Sequence, residues 1–90
     1  MKEGFVYILK SAKNGSFYIG STIDTAIRLC QHNAGSVTAT KHLTPWEMEY
    51  FQKYSTIREA RQIEYRLKKL KRRDILEQII REQNINIKGR

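Results

Sequence analysis

Two short apolar segments lie near the start of the chain, with a turn signal between them. Residues 4–9 and 17–20 have the length and the aromatic and β-branched content of strands, and Asn14-Gly15 lies in their connection. Both turn residues tolerate the positive φ angles that a tight hairpin requires. The pattern therefore predicts a β-hairpin.

The register of this hairpin decides whether Tyr7 and Tyr18 share a face. A two-residue turn at residues 14–15 pairs Tyr7 with Thr22. Because side chains alternate along a strand, every register whose paired numbers have an odd sum keeps the two phenols together. A wider loop drawn from residues 11–16 brings them closer, and an even sum separates them. Aromatic residues in strands usually just pack, so the hairpin alone indicates a piece of core.

A helix is predicted after the hairpin, with Asp24 as its N-cap and Gly35 as the residue that ends it. Arg28 and His32 lie one turn apart on one side of this helix, where a solvated pair is the ordinary interpretation. The opposite side is predicted to be the buried face. Its apolar residues are Ala26, Ile27, Cys30 and Ala34.

Residues 35–45 show no periodicity and predict a loop, long enough to be functional. Next, Trp46, Met48 and Tyr50 alternate with glutamates and predict a third strand with one buried face.

A second helix is predicted to begin with a capping box of Thr56 and Glu59. Glu64 lies at the edge of its apolar stripe, where Lys68, four residues on, is the obvious salt-bridge partner. The stripe consists of Ile57, Ala60, Ile63, Leu67 and Leu70.

A short third helix is predicted to begin at a box-like Asp74 and Glu77, and the chain after Gln83 is expected to fray. The order strand-strand-helix-strand-helix-helix predicts an α+β fold, a small three-stranded sheet with helices against it. We assign residues 1–83 to one domain and 84–90 to the frayed tail. The third helix is predicted to pack through Ile75, Leu76, Ile79 and Ile80.

Composition argues against a disulfide-linked secreted protein and against a membrane-spanning protein. A 90-residue chain makes one small domain, and Cys30, its one cysteine, excludes an intramolecular disulfide framework. The longest apolar run, residues 5–9, is far shorter than the roughly 20 residues of a membrane span, and no secretory signal follows Lys2. We expect a cytoplasmic protein that does not associate with membranes.

The net charge of +8, from 17 Lys and Arg against 9 Asp and Glu, indicates a polyanionic partner. Nucleic acid is the first candidate and an anionic membrane the second. Eight of the cations fall within residues 58–73. The residues predicted to bind nucleic acid are Lys41, Arg61, Lys68, Lys69, Lys71, Arg72 and Arg73.

Several kinds of site are excluded by spacing. The glycines are scattered rather than gathered in a phosphate loop, and His32 and His42 lack the neighbouring cysteines or aspartates of a zinc site. Too few carboxylates are available for a two-metal site. One kind of site remains: a general base, an arginine that binds a phosphate and a carboxylate that binds a hard cation. The candidate residues for it are Tyr7, Tyr18, Arg28, His32 and Glu64.

These residues carry a family resemblance. Val6-Tyr7-Ile8 and Tyr18-Ile19-Gly20 resemble the two signature motifs of the GIY-YIG nuclease superfamily. Residues 28–35 resemble its arginine-bearing helix, and residues 60–70 the later helix with its metal-binding glutamate. The similarity spans roughly residues 4–80 and is greatest to the small single-domain bacterial branch.

The resemblance implies a three-stranded antiparallel sheet flanked by helices and a DNA endonuclease with one divalent metal ion, Mg²⁺ or Mn²⁺. It makes Tyr7 and Tyr18 the motif tyrosines, Arg28 the phosphate-stabilising arginine and Glu64 the metal ligand. His32 occupies a place where members carry tyrosine or histidine. We expect the helices bearing Arg28 and Glu64 to flank one sheet face.

Three features depart from relatives. Val6 stands in the first motif where the family name has glycine-isoleucine, a change that is common in this branch. Ser21 stands where some members place a lysine beside the base, and the loop of residues 36–44 is less basic, with Lys41 and His42 alone.

The base is assigned to Tyr18 first, with His32 or Tyr7 as alternatives. A phenol with a pKa of about 10 is about 0.1% ionised at pH 7, and lowering that pKa to 7 takes roughly 4 kcal/mol, whereas a histidine needs almost none. The predicted function is DNA cleavage in repair or recombination. RNA is left open as a substrate, and the sequence does not identify the protein partners. A non-catalytic nucleic-acid-binding domain is the alternative, followed by a basic domain that docks on an acidic protein or membrane.

Overall fold

The computed structural model describes residues 2–85. Three strands form one antiparallel sheet in the order β2-β1-β3, so the predicted α+β fold and element order are confirmed. The elements are β1 (Gly4–Ser11), β2 (Phe17–Thr22), α1 (Thr25–Asn33), a 3₁₀ turn (Lys41–Leu43), β3 (Trp46–Tyr54), α2 (Ile57–Leu70) and α3 (Arg73–Glu82).

The hairpin between β1 and β2 has a four-residue loop, residues 12–15. The backbone N–H of Ser11 donates to the carbonyl of Ser16 at 2.8 Å, and Tyr7 pairs with Gly20. The two-residue turn is therefore wrong, and the wider loop is correct. Because the paired numbers still have an odd sum, Tyr7 and Tyr18 lie on the same face.

The Ser11 side chain explains this wider loop. Its oxygen accepts hydrogen bonds from the backbone N–H groups of Lys13 (3.0 Å) and Asn14 (3.2 Å). Gly15 closes the loop with φ 78° and donates its N–H to the Ser11 carbonyl. Gly15 thus has the positive φ angle predicted for the turn, but the turn is a four-residue loop.

The sheet is covered on both faces. α2 and α3 pack on one face, and α1 packs on the other through Leu29. The expectation that Arg28 and Glu64 come from helices on one face is therefore wrong. The first core joins Val6, Ile8 and Ile19 to Ala60, Ile63, Leu67, Leu76, Ile79 and Ile85. The second joins Tyr7, Leu9 and Trp46.

α1 is turned about its axis relative to the predicted orientation. Asp24 caps it as expected, by accepting a hydrogen bond from the Ile27 N–H, and Gly35 follows it with φ 79°. However, Ile27 is 58% exposed and Cys30 is exposed, while His32 is completely buried. The predicted apolar face is wrong because hydrogen bonds of the His32 ring, and not the hydropathy of the helix residues, decide which face is buried.

β3 contains a bulge at Glu49. Leu9 pairs with Met48 while its neighbour Ile8 pairs with Tyr50, so one extra residue lies between the two pairs. The extra residue reverses the alternation, and Tyr50 packs on the α2–α3 side instead of with Trp46 and Met48. The prediction of one shared buried face is wrong at Tyr50.

The N-terminus of α2 follows the predicted capping box in part. Thr56 accepts a hydrogen bond from the Glu59 N–H at 3.1 Å, and the Glu59 carboxylate accepts from the Ser55 N–H. At the other end, Leu70 is 43% exposed, so the predicted stripe is buried only as far as Leu67.

α3 begins earlier than predicted, with its N-cap two residues before Asp74. Its N-cap is Arg72, whose guanidinium binds the Asp74 carboxylate, so the predicted capping role of Asp74 is wrong. Ile85, beyond the point where fraying was expected, is 5% exposed and donates its N–H to Gln52. The rest of the predicted tail, residues 86–90, lies outside the described residues. Within residues 2–85, no helix is long and apolar enough to cross a membrane.

Candidate active site

The phenol of Tyr7 crosses the neighbouring strand at Gly20. A Cβ added to Gly20 would collide with Oη and Cζ of Tyr7. Glycine is therefore required here for close approach of a side chain rather than for an unusual φ. Since β2 is an edge strand, this passage carries the phenol to the edge of the sheet.

A buried chain of hydrogen bonds begins at that phenol. Tyr7 Oη lies 2.8 Å from Nε2 of His32, and His32 Nδ1 lies 2.7 Å from Oγ1 of Thr40. Tyr7 is 1% exposed, and His32 and Thr40 are both 0% exposed. The predicted solvated pairing of Arg28 with His32 is therefore wrong.

Burial governs the ionisation of both rings. It lowers the pKa of His32 from 6.5 to about 4, with a further contribution from the charge of Arg28. It also raises the pKa of Tyr7, and the nearby Arg28 guanidinium opposes part of that rise by hydrogen bonding and by its charge. Both side chains are neutral at pH 7 in this state.

Tyr18 completes an aromatic cluster. Its ring makes edge-to-face contacts with His32, at a centroid distance of 5.1 Å, and with Trp46, at 6.2 Å. Tyr18 is only partly buried, so solvent reaches this ring. The ammonium of Lys68 lies 5.5 Å from its centroid on the outer side.

Glu64 approaches the edge strand from the α2 side. Ser21 Oγ donates to Oε1 of Glu64 at 2.5 Å, and Lys68 Nζ lies 2.7 Å from Oε2. The predicted Glu64–Lys68 ion pair is thus present. The Glu64 side chain is 20% exposed, and that of Lys68 is 47% exposed. The carboxylate is therefore bound by Ser21 at Oε1 and covered by the partly exposed Lys68 ammonium at Oε2.

Arg28 approaches the same strand from the α1 side. Its Nη1 donates to Oε1 of Gln31 at 2.9 Å. A groove of about 670 Å³ lies between α1 and α2, and Arg28, Arg61 and Ser21 line it. The Tyr7 phenol passes over Gly20, and the next residue, Ser21, bonds Glu64 and lines the groove together with Arg28, so all three groups are placed around β2.

The predicted nucleic-acid-binding cations are divided among different surfaces. A second groove, of about 420 Å³, is lined by Lys68, Lys71, Arg72 and Arg73 over an apolar floor that includes Phe17 and Leu76. Lys41 lies on the exposed 3₁₀ turn, and Lys69 lies over the Tyr65 ring at 5.8 Å.

Two cations of this second groove also have structural partners. Arg73 packs 4.3 Å from the centroid of Phe17 and forms an ion pair with Glu77. Arg72 forms an ion pair with Asp74 at 2.7 Å. These exposed pairs leave donors on both guanidinium groups for a polyanion.

The donor set fits one hydrated divalent ion. Over residues 2–85, no three His, Cys, Asp or Glu side chains are grouped as metal ligands. Mg²⁺ keeps several waters and is often held by one or two carboxylates together with substrate phosphate oxygens. The partly exposed carboxylate of Glu64 meets that requirement once Lys68 moves aside.

The five predicted catalytic residues therefore lie around one strand edge, although from opposite sheet faces. Thr40 could not be predicted as a site residue, because nothing in the sequence of a polar loop indicates that one of its threonines is buried. The sequence interpretation also gave Ser21 no positive role. The position of Ser21, directly after the Tyr18-Ile19-Gly20 motif, was the signal that could have indicated its contact with Glu64.

Comparison with known proteins identifies the family of the chain. The GIY-YIG catalytic domain matches residues 3–78. A UPF0213 protein of Listeria monocytogenes is 40% identical over 73 residues, 80% of this chain and 81% of the relative. One of Staphylococcus epidermidis is 38% identical over 80 residues, 88% of this chain and 96% of the relative.

A UPF0213 protein of Bacillus pumilus is 43% identical over 65 residues, 71% of this chain and 65% of the relative. No solved structure matches the chain. The chain belongs to the GIY-YIG family, which is a nuclease family, and its relatives include the UPF0213 proteins of bacteria.

Proposed function

We propose that the protein is a DNA endonuclease that hydrolyses phosphodiester bonds with one divalent metal ion, Mg²⁺ or Mn²⁺, and acts in DNA repair or recombination. One observation carries the proposal: the Tyr7 phenol passes over Gly20, and Ser21 beside it bonds Glu64 and lines a groove with Arg28, although α1 and α2 pack on opposite sheet faces. A cation, a carboxylate and two phenols at one exposed edge are the groups that phosphodiester hydrolysis requires.

Arg28 is the residue that we assign to the phosphate. Its planar guanidinium can donate two parallel hydrogen bonds to phosphate oxygens. Gln31 anchors one side of this group, and Arg61 supplies a second positive charge in the same groove. A phosphodiester in the groove would have its charged oxygens stabilised by both arginines.

Glu64 is the residue that would hold the metal ion. Ser21 fixes one carboxylate oxygen, so that the other faces the position now taken by the Lys68 ammonium. Glu64 would hold a divalent ion there, and that ion would supply positive charge beside the substrate phosphate. Lys68, with its long and partly exposed side chain, can move from Glu64 towards the anionic substrate.

The general base is Tyr18 in this proposal, with Tyr7 as the alternative. Tyr18 is partly exposed, so an attacking water can reach its phenol, whereas His32 is enclosed and both of its ring nitrogens have partners. His32 can therefore act only through Tyr7. The base, as its phenolate, takes a proton from water while the water oxygen attacks phosphorus and the bond to the leaving oxygen breaks.

The second groove extends the substrate path along the same edge. It shares Lys68 and Tyr18 with the site and continues to the α2–α3 junction at Lys71 and Arg73. Cations along one edge neutralise successive phosphates, which gives affinity without sequence preference. We propose that a nucleic-acid strand follows β2 from Arg28 towards this junction.

A cleavage assay tests the proposal. Purified protein is incubated with plain, nicked and branched DNA, and with RNA, in Mg²⁺ or Mn²⁺. We expect metal-dependent cleavage of DNA that is lost in Glu64→Gln and in Arg28→Ala. Glu47→Gln and Arg81→Ala are matched controls, since both residues are exposed and line neither groove.

Cleavage that persists in Glu64→Gln would contradict the assignment of this site. DNA binding with a steep salt dependence, no cleavage, and no effect of Tyr18→Phe would instead identify a non-catalytic nucleic-acid-binding domain.

A further inference from the structure

The buried hydrogen-bond chain that ends at Thr40 has a direction. Thr40 Oγ1 lies 3.3 Å from the backbone carbonyl of Val37, which can only accept a hydrogen bond. If the Thr40 hydroxyl donates to that carbonyl, its oxygen accepts the hydrogen on Nδ1 of His32. A neutral imidazole has one N–H, so Nε2 is then bare and accepts the hydroxyl hydrogen of Tyr7.

The opposite direction leaves one hydrogen without an acceptor in this chain. If Thr40 donated to Nδ1, then Nε2 of His32 would carry the hydrogen and would donate to the Tyr7 oxygen. The Tyr7 hydroxyl hydrogen would then turn away from His32, and no acceptor for it is found within residues 2–85. The direction from Tyr7 towards Val37 is therefore the one in which every hydrogen has a partner.

We propose that Thr40 is a positioning residue for the Tyr7 hydroxyl. By accepting the Nδ1 hydrogen of His32, it selects the tautomer that draws the Tyr7 hydrogen inward. The Tyr7 oxygen, which lies over Gly20 at the edge of β2, then keeps its lone pairs free on the side away from His32. The tautomer is independent of the proposed function, whereas its effect on cleavage rests on that function.

Thr40 is itself held from several directions. Its backbone carbonyl accepts the indole N–H of Trp46 at 2.9 Å, and its own N–H donates to the Val37 carbonyl at 3.0 Å. The Asn33 side chain bonds both the N–H and the carbonyl of Trp46, which ties this anchor to the end of α1. The hydroxyl is thus presented to His32 by a fixed backbone.

The test measures the tautomer of His32 directly. Nitrogen NMR of the imidazole distinguishes a protonated ring nitrogen from a bare one, and a His42→Gln background leaves one histidine to observe. At pH 7 we expect the hydrogen on Nδ1 and a bare Nε2. Thr40→Val, which has nearly the same shape but no hydroxyl, should move the ring towards the Nε2–H tautomer. Thr40→Ser should restore the original pattern.

A second measurement follows the consequence of the Tyr7 orientation for cleavage. We expect Thr40→Val to reduce kcat/KM for DNA cleavage about 10- to 100-fold, as for other residues that orient a functional histidine through its second nitrogen. Thr40→Ser should recover most of the activity. Thr38→Val is the matched control, since Thr38 is an exposed hydroxyl residue of the same loop.

The outcomes separate the two proposals. If the parent protein has the Nε2–H tautomer of His32, the role of Thr40 is overturned. The same holds if folded Thr40→Val keeps the tautomer of the parent. In both cases the nuclease proposal still stands. Absence of cleavage by the parent protein, with the Nδ1–H tautomer present, overturns the nuclease proposal and leaves the tautomer assignment standing. Equal losses of activity in Thr40→Val and Thr40→Ser would mean that packing, not the hydroxyl, matters, and would also overturn the inference.

Discussion

Tyr7 and Gly20 lie opposite each other on neighbouring strands, and the Tyr7 phenol occupies the space that a side chain at position 20 would fill. This relationship gives a physical reason for a glycine at the end of the second motif. It also explains how a residue of the central strand contributes to a site at the sheet edge, since the phenol passes over the edge strand.

We expect Gly20→Ala to destabilise the protein by about 1–3 kcal/mol, because the added methyl group forces the Tyr7 ring or the strand to move. Without the collision, alanine would be expected to stabilise a strand position by about 0.5–1 kcal/mol. Urea denaturation measures the difference, and the same displacement should lower DNA cleavage.

A double-mutant cycle isolates the collision. In a Tyr7→Leu background the ring is absent, so Gly20→Ala should cost much less than in the parent, with a coupling energy of about 0.5–3 kcal/mol. An equal cost of Gly20→Ala in both backgrounds would show that the Tyr7 contact is not the cause.

The buried state of His32 predicts a pH dependence of stability. Its pKa is lowered from 6.5 to about 4 in the folded protein. Between these values the unfolded chain binds a proton that the folded protein does not, so stability falls as pH decreases below 6.5. The limiting slope is about 1.4 kcal/mol per pH unit, and we expect a loss of about 2 kcal/mol between pH 7.5 and pH 5.

Urea denaturation at several pH values measures this slope. His32→Gln should flatten it, since the titrating group is removed. His42→Gln should retain it, because that side chain is exposed. A slope that is the same in both variants would mean that another group is responsible.

The shared face of Tyr7 and Tyr18 could be predicted because it depends only on the parity of the register. The alternation of strand side chains survives a change of loop length by two residues. The loop length itself could not be predicted, since it depends on the Ser11 side chain, which satisfies the N–H groups of Lys13 and Asn14. Such hydrogen bonds between a side chain and the nearby backbone cannot be predicted from the hydropathy pattern.

The orientation of α1 could not be predicted from periodicity. Its apolar residues Ile27 and Cys30 are exposed, while His32 is buried through partners at Tyr7 and Thr40 that are distant in the sequence. A polar side chain is buried where its hydrogen bonds are satisfied, and that depends on tertiary structure. For the same reason the meeting of α1 and α2 groups from opposite faces was not foreseen.

The cations of the second groove predict a salt-dependent contribution to DNA binding. We expect Lys71→Gln to weaken binding to all DNA sequences alike and to reduce the slope of log affinity against log salt by about one. Fluorescence anisotropy in EDTA, from low to moderate salt, measures the slope without cleavage.

Lys53→Gln is the matched control, since Lys53 lies on β3 at the other edge of the sheet and pairs with Glu3. An equal reduction of the slope in both variants would show that total charge, and not this groove, sets the affinity.

Glu64 and Lys68 predict competition between a cation of the chain and a metal ion. Lys68 Nζ lies 2.7 Å from Oε2 of Glu64, on the oxygen that Ser21 does not bind. A metal ion that binds the folded state raises its stability, by roughly 1.4 kcal/mol at ten times Kd. We expect Mn²⁺ to raise Tm, EDTA to reverse the rise, and Glu64→Gln to abolish it.

Lys68→Met should increase the Tm rise at a given Mn²⁺ concentration, because the metal ion no longer displaces an ammonium. The gain should be a few-fold in Kd, since partly exposed ion pairs contribute about 0–1 kcal/mol. Lys69→Met is the control: its ammonium lies over Tyr65 and not against Glu64, so its Mn²⁺ response should match the parent. A smaller Tm rise in Lys68→Met than in Lys69→Met would mean that Lys68 assists metal binding rather than competing with it.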